Sequence, residues 1–276
     1  MGGSGGNTTI TSFNSDGFTL ATDTGDGGWN EQGDSEVAWQ WKSNGGTTST
    51  NSNGAVNSTV QANTTAGFSI VTWTSAGSTN VGHGLGVAPN LIIIKARNGA
   101  ENWLVGSDGI GWSKRMKLNS DDGSANSSAF GQAPTSSIFY CYPANASYNY
   151  VAYCFAEKQG YSKFGSYTGN GNADGAFVYT GFKPAWIMTK RTDATGAWNI
   201  QDLKRSPINV QDNFLQSNDA DAEASAGGTG IWDSLSNGFK LRQNLSSTNN
   251  SGSNYIYMAF AENPLVATNG VPTTAR

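Results

Sequence analysis

The phrase Asn149-Tyr-Val-Ala-Tyr-Cys-Phe-Ala-Glu157 returns nearly letter for letter as Asn254-Tyr-Ile-Tyr-Met-Ala-Phe-Ala-Glu262. Each copy is short, dense in aromatic and β-branched residues, and preceded by Asn, Ser and Gly, which predicts a strand rather than a helix. Both faces are apolar: Val151, Tyr153 and Phe155 point one way, Tyr150, Ala152 and Cys154 the other. Such a strand belongs at the centre of a sheet, covered on both sides. A weaker third copy, Ser35-Glu-Val-Ala-Trp-Gln-Trp-Lys42, alternates Val37, Trp39 and Trp41 against Glu36, Gln40 and Lys42, the pattern of a strand with one wet face.

The spacing between copies sets the domain count. A repeat of roughly 100 residues in a chain of 276 predicts two domains of modest size. Charged residues are 13% of the chain, where about 25% is ordinary, and 36 Gly with abundant Ser, Thr and Asn accompany the aromatics. A disordered chain has the opposite bias, more charge and fewer aromatics. A net charge of −4 leaves no basic footprint for nucleic acid. No run of 18 apolar residues occurs, so membrane insertion by a helix is not expected.

Taken in order, residues 1–9 read as a flexible leader, residues 10–42 as an orphan β-hairpin built from Thr11-to-Leu20 and the third aromatic copy, and 43–58 as a Ser/Thr/Asn/Gly linker. A second grammar then begins. A Phe strand at Gly67–Trp73, a loop at Val81–Gly86, a buried strand from Pro89 to Lys95 and then Trp103 are matched by Lys163–Thr168, the strand from Pro184 to Lys190 and Trp198. Pro to Lys is six residues and Lys to Trp is eight in both copies, which signals an internal duplication. The expected architecture is all-β, with two homologous β-sandwich or jelly-roll units at 59–158 and 162–266, then a tail at 267–276. The only helix-like patch, Asn218 to Ser225, is a turn or two.

The phrases FNSDGFTL, TAGFSIV, VGHGLGVAPNLIIIK, YVAYCFAE, GYSKFGSYTGNGNADGAFVYTGF and YIYMAFAENP resemble an often duplicated β-rich domain of tailed-phage virion proteins from marine bacteria and cyanobacteria, found in tail-fibre-like or lectin-like reading frames. The similarity spans about residues 10–265. It implies a place on the surface of a phage particle, with other virion proteins and host-surface glycans as partners. It carries over no catalytic or binding residues.

Few constellations suggest chemistry. His83, the single histidine, stands in Gly82-His-Gly-Leu-Gly86 and reads as a turn or packing residue, with no Gly-x-Ser-x-Gly elbow beside it. Asn170-Gly-Asn-Ala-Asp-Gly175 starts like a calcium loop, but Gly181 occupies the place of the closing Glu, so a hairpin turn is expected. Asp108 and Asp202 fall near equivalent repeat positions, which suits a structural role better than one shared active site. Cys141 and Cys154, on neighbouring strands of an expected hairpin, read as two free buried thiols. No metal or cofactor is implied. Loop aromatics Trp29, Trp112, Tyr148 and Trp232 are the candidate glycan platforms. Phe18, Val37, Trp39 and Trp41, an apolar face without a sheet of its own, are the candidates for self-assembly into a homo-oligomer. A non-enzymatic fibre or adhesin module is the leading reading, with a head-decoration or accessory particle protein, and then a polysaccharide depolymerase, as alternatives.

Overall fold

A computed structural model describes residues 10–21, 30, 33–77, 79–142, 145–228 and 230–262. The chain divides into two compact units, Met1–Gly45 and Gly46–Arg276. Every regular element among the described residues is a β-strand.

The first unit holds one small hairpin, β1 (Ile10–Phe13) and β2 (Phe18–Leu20). Its turn is closed by the Asn14 N–H on the Gly17 carbonyl at 2.8 Å, and the Asn14 amide also donates to the Thr19 hydroxyl at 3.0 Å. The hairpin therefore lies wholly within 10–20 and does not reach to 42 as expected. The third aromatic copy, residues 35–42, is irregular instead of a strand. A strand needs ladder partners, and each of the two later copies has a neighbouring strand on either side in its sheet.

In the second unit, the first half runs β3 (Ser49–Asn51), β4 (Ser58–Asn63), β5 (Phe68–Thr74), β6 (Thr79–Gly82), β7 (Leu91–Ala96), β8 (Leu104–Ser107), β9 (Lys114–Lys117), β10 (Ala125–Asn126), β11 (Ile138–Cys141) and β12 (Asn149–Phe155). The second half runs β13 (Ser162–Thr168), β14 (Phe177–Tyr179), β15 (Pro184–Arg191), β16 (Asn199–Asp202), β17 (Asn213–Gln216), β18 (Ala224–Ser225), β19 (Trp232–Leu235), β20 (Gly238–Leu241) and β21 (Asn254–Ala261). The helix-like patch at 218–225 thus ends in a two-residue strand.

The strand orders correspond. The large antiparallel sheet of the first half is β10-β9-β8-β7-β12-β5-β4-β3, and that of the second is β18-β17-β16-β15-β21-β13 read in the same direction. The repeated aromatic phrase is central in both, β12 between β5 and β7 and β21 between β13 and β15, as its two apolar faces require. A smaller sheet covers each large one: β6 with β11 in the first half, β14, β20 and β19 in the second. Val71, Trp73, Ile92 and Ile94 meet Val81 and Phe139 in the first core. Ile187, Tyr257 and Ala259 meet Val178, Trp232 and Phe239 in the second.

Three sequence expectations need correction. Residues 43–58 are not simply a linker, because β3 and the Val56–Val81 bridge lie within them. β11 and β12 form no hairpin, and neither do β13 and β14: each pair divides between a small and a large sheet. Cys141 and Cys154 are therefore not cross-strand neighbours, although both are buried and free. Finally, the halves are not separate domains. The Trp198 indole donates to the Lys117 carbonyl at 2.9 Å, the buried Lys190 ammonium reaches the Asp121 carbonyl at 2.9 Å, and Phe155 packs its ring 5.9 Å from Phe164 and 6.1 Å from Phe260.

Candidate functional site

The inner faces of β7, β8 and β9 lead out from the first core to an open mouth between the two sheets. A cleft of about 370 Å³ lies there, its floor made by Ile94, Ala96, Leu104 and Cys141 and its rim by Glu101, Arg115, Ser127, Tyr142 and Tyr150. Strand pairing brings these side chains together: Tyr150 is opposite Ala96, Ile94 opposite Leu104, and Ala125 opposite Arg115. That volume is within the range of about 300–1,000 Å³ common for small-molecule sites.

Two strong hydrogen-bonding groups on this wall are left unused. The Tyr150 side chain is only 4% exposed, and its hydroxyl has no hydrogen-bond partner among the described residues. Burial pushes its pKa up to about 12, with smaller contributions from Cys141, Glu101 and Tyr148, so the hydroxyl stays protonated at neutral pH and can donate. The Arg115 guanidinium likewise has neither an ion pair nor a hydrogen bond among the described residues. Glu101 is held in place by the Asn145 amide, which donates to Oε1 at 2.5 Å, and its backbone carbonyl accepts from the Lys95 ammonium. Glu101 and Arg115 both line the cleft yet form no salt bridge with each other. Cys141 contributes only bulk, since burial raises its thiol to about 12.

At the matching place in the second half the corresponding groups are satisfied within the chain. Tyr255 pairs with Arg191 as Tyr150 pairs with Ala96, and the Tyr255 hydroxyl donates to the Ser246 carbonyl and accepts from the Asn250 N–H, both at 2.8 Å. Arg191 is tied to Asp193 and Ser253, each at 2.8 Å. Phe214, paired with Ala224 as Arg115 is with Ala125, packs against the second core with Ala226. Gly196 stands six residues after Lys190, where Glu101 stands after Lys95.

A family described as a domain of unknown function (DUF7483) matches residues 3–264. The chain belongs to that family. No curated protein and no solved structure matches it.

The candidates singled out in the sequence of this DUF7483 chain are scattered. Trp232 is fully buried and Trp112 is 7% exposed, its indole donating to Asp108 at 2.7 Å. Neither ring offers a face to a glycan, because in small sandwiches bulky aromatics next to turns fill the core. Tyr148 is half-buried and packs over Gly99, where an added Cβ would meet its ring at 2.1 Å. Trp29 lies outside the described residues. In the first unit Phe18, Trp39 and Trp41 are half-buried and Val37 is exposed, on a hairpin strand and an irregular segment rather than on one sheet face.

The remaining chemistry-bearing residues serve the fold. His83 is buried immediately before the positive-φ glycines Gly84 and Gly86. Its Nδ1 accepts from the Leu85 N–H at 3.2 Å, which leaves Nε2–H to donate to the Thr135 carbonyl at 3.1 Å. Asn170 and Asn172 cap their own loop, pinned by the buried Asn249 amide at 3.2 Å and 2.8 Å. Asp108 also accepts from Asn90 at 2.9 Å, and Asp202 holds the Lys204 and Arg205 N–H groups, both at 3.0 Å. Among the described residues no three His, Cys, Asp or Glu side chains gather as a metal site, and no helix is long and apolar enough to cross a membrane.

The residues of the cleft escaped the sequence reading. Its one available signal was a mismatch between aligned copies, with Ala96, Glu101 and Arg115 standing where Arg191, Gly196 and Phe214 stand.

Proposed function

We propose that the chain is a non-enzymatic surface protein of a phage particle, a fibre or adhesin module that contacts a host-envelope glycan through the cleft of its first half. The observation that carries this reading is the pair of unspent groups, the Tyr150 hydroxyl and the Arg115 guanidinium, on an aromatic and polar wall. Both groups are spent on nothing within the chain among the described residues, whereas the equivalent tyrosine in the second half is satisfied twice. A sugar supplies hydroxyls for such groups and an apolar ring face for tyrosine. Glu101 is the one carboxylate on the cleft wall, whereas glycoside hydrolysis generally uses two, about 5–10 Å apart. That supports binding over cleavage.

The resemblance of the sequence phrases to virion domains supports the location. Assembly into a homo-oligomer belongs to the same reading, since the first unit presents Phe13 at 82% exposure as apolar surface; sedimentation of the full chain tests it. Antibody labelling of particles and competition for phage adsorption by purified protein test the location and the contact together. Tail labelling with competition is expected. Labelled heads without competition would replace the adhesin with a decoration protein, and release of reducing sugar from host polysaccharide would replace it with a depolymerase.

A further inference from the structure

We infer that the cleft of the first half selects a saccharide unit carrying a carboxylate, a uronic acid, with Arg115 taking the carboxylate and Tyr150, Glu101 and Asn102 taking ring hydroxyls; this rests on the glycan reading above. The arrangement of charge on the wall leads there. A guanidinium offers five N–H donors and no acceptor, and all five of Arg115 lack a partner among the described residues. A planar, two-oxygen anion satisfies such a fork better than a hydroxyl does, because it accepts two parallel charge-assisted hydrogen bonds. Glu101 does not fill that role: no salt bridge joins it to Arg115, and one of its oxygens is engaged by Asn145. Lys95 adds a second positive charge beside the rim, at the Glu101 carbonyl. Lys117, on the same strand as Arg115, is neutralised by Asp122 at 2.8 Å. The wall of the cleft itself therefore offers one cation, Arg115, one carboxylate, Glu101, and the Tyr150 phenol.

The second half is the internal control. Its own arginine, Arg191, stands where Ala96 does and has its donors spent on Asp193, Ser253 and the Ser246 carbonyl, and Phe214 stands in the place of Arg115. A free guanidinium is thus no by-product of this strand arrangement. Of the two matched positions, only the one in the first half carries it.

The test is isothermal titration of the full chain with trigalacturonate and with its methyl ester, a neutral ligand of the same rings. Trigalacturonate is expected to bind, and the ester at least about tenfold more weakly, a difference of about 1.4 kcal/mol. Arg115→Gln should bring the acid down to the ester, Arg115→Lys should restore part of the preference, and Tyr150→Phe should weaken both ligands together. Unchanged thermal unfolding of each variant shows that the fold is intact. An ester that binds as tightly as the acid overturns the acidic-sugar inference and leaves the glycan reading standing. Failure of both ligands, and of a panel of neutral oligosaccharides, removes the glycan reading as well. Acetate binding as tightly as trigalacturonate would show a bare carboxylate site and overturn the saccharide part.

Discussion

Tyr150 and Tyr255 occupy matching positions on the central strands of an eight-stranded and a six-stranded sheet, yet the first hydroxyl has no partner among the described residues and the second makes two hydrogen bonds within the chain. The neighbours differ in concert. Ala96, Glu101 and Arg115 line the cleft with the first tyrosine, and Arg191, Gly196 and Phe214 stand at the matching chain positions of the second half. Each set is self-consistent: a short side chain with charged groups leaves a polar cavity, and a long arginine with a phenylalanine fills the same space. One architecture therefore supports a half whose tyrosine and arginine are spent within the chain and a half that leaves them open on a cleft wall, and only a few side chains decide which is which. The second half also holds the junction, through Trp198 on the last residue of β9 and Lys190 on the loop after it.

The sharpest way to break this comparison is at the two repeated tryptophans. Trp198 is fully buried and donates across the junction, while Trp103 is half-buried and stacks on Tyr153 at 6.4 Å. Trp198→Ala is expected to cost about 3–5 kcal/mol, the usual range for a buried tryptophan, and Trp103→Ala clearly less. Urea unfolding measures both. Equal losses would show that the halves share their load evenly and that no special junction exists.

Lys190 gives the next largest effect. Burial lowers its pKa from 10.5 to about 8, against the opposing pull of Asp121 and Asp122. Between those values the unfolded chain binds more protons than the folded one, so stability rises with pH across that window, by at most about 1.4 kcal/mol per pH unit. Cys141 and Cys154, both raised from 9.0 to about 12, act with the opposite sign above pH 9. The Lys190 signal is thus cleanest between pH 8 and 9. Lys190→Met should flatten the stability curve there, measured by urea midpoints; a slope that survives the substitution would assign it to another group.

Smaller changes are expected from exchanging the wall residues themselves. Phe214→Ala should cost about 1–2 kcal/mol by hollowing the second mouth, below the range for a fully buried phenylalanine because Phe214 is only partly buried. Arg115→Leu should shift stability by less than about 1 kcal/mol, since a half-exposed unpaired cation contributes little to folding, while abolishing any ligand response. If Arg115→Leu destabilises as much as Phe214→Ala, the arginine belongs to the fold and the open mouth loses its functional meaning.

Much of this molecule was legible in its sequence because strands announce themselves locally. The aromatic phrases became β12 and β21, and the Pro-to-Lys spacing marked β7 and β15, since alternation and turn residues act within a few positions. Sheet membership was not legible. Cys141 and Asn149 are separated by a connection short enough for a hairpin, yet β11 crosses to the small sheet, and nothing within those residues reports the partner strand. The copy at 35–42 failed for a related reason: its residues suit a strand, but pairing depends on what lies beside it. Trp112 and Trp232 looked like loop platforms because burial is a tertiary property. The cleft was written only as an absence, the missing arginine and phenylalanine of the other half.

The smallest predicted effect concerns His83, whose counterpart beyond β14 is Thr180. Thr180 spends its hydroxyl on the Phe182 carbonyl at 2.6 Å, a bond that has no titrating group. His83 makes the analogous closure with an imidazole, and burial lowers its pKa below 6.5, although the hydrogen bond to Thr135 opposes the shift. In the folded state the neutral ring must accept from Leu85 through Nδ1, and protonation would turn that acceptor into a donor. The unfolded chain gains its proton first as pH falls. The stability contributed by the neutral imidazole is therefore complete above pH 6.5 and declines as pH drops from 6.5 toward the folded value. His83→Gln, which keeps a donor and an acceptor but cannot titrate, should remove that part of the acid limb while leaving stability at pH 7.5 within about 1–2 kcal/mol of the parent. Urea midpoints at pH 5.5 and 7.5 decide it: if the parent and the variant lose the same stability between the two, the first half's turn is as indifferent to acid as the second's.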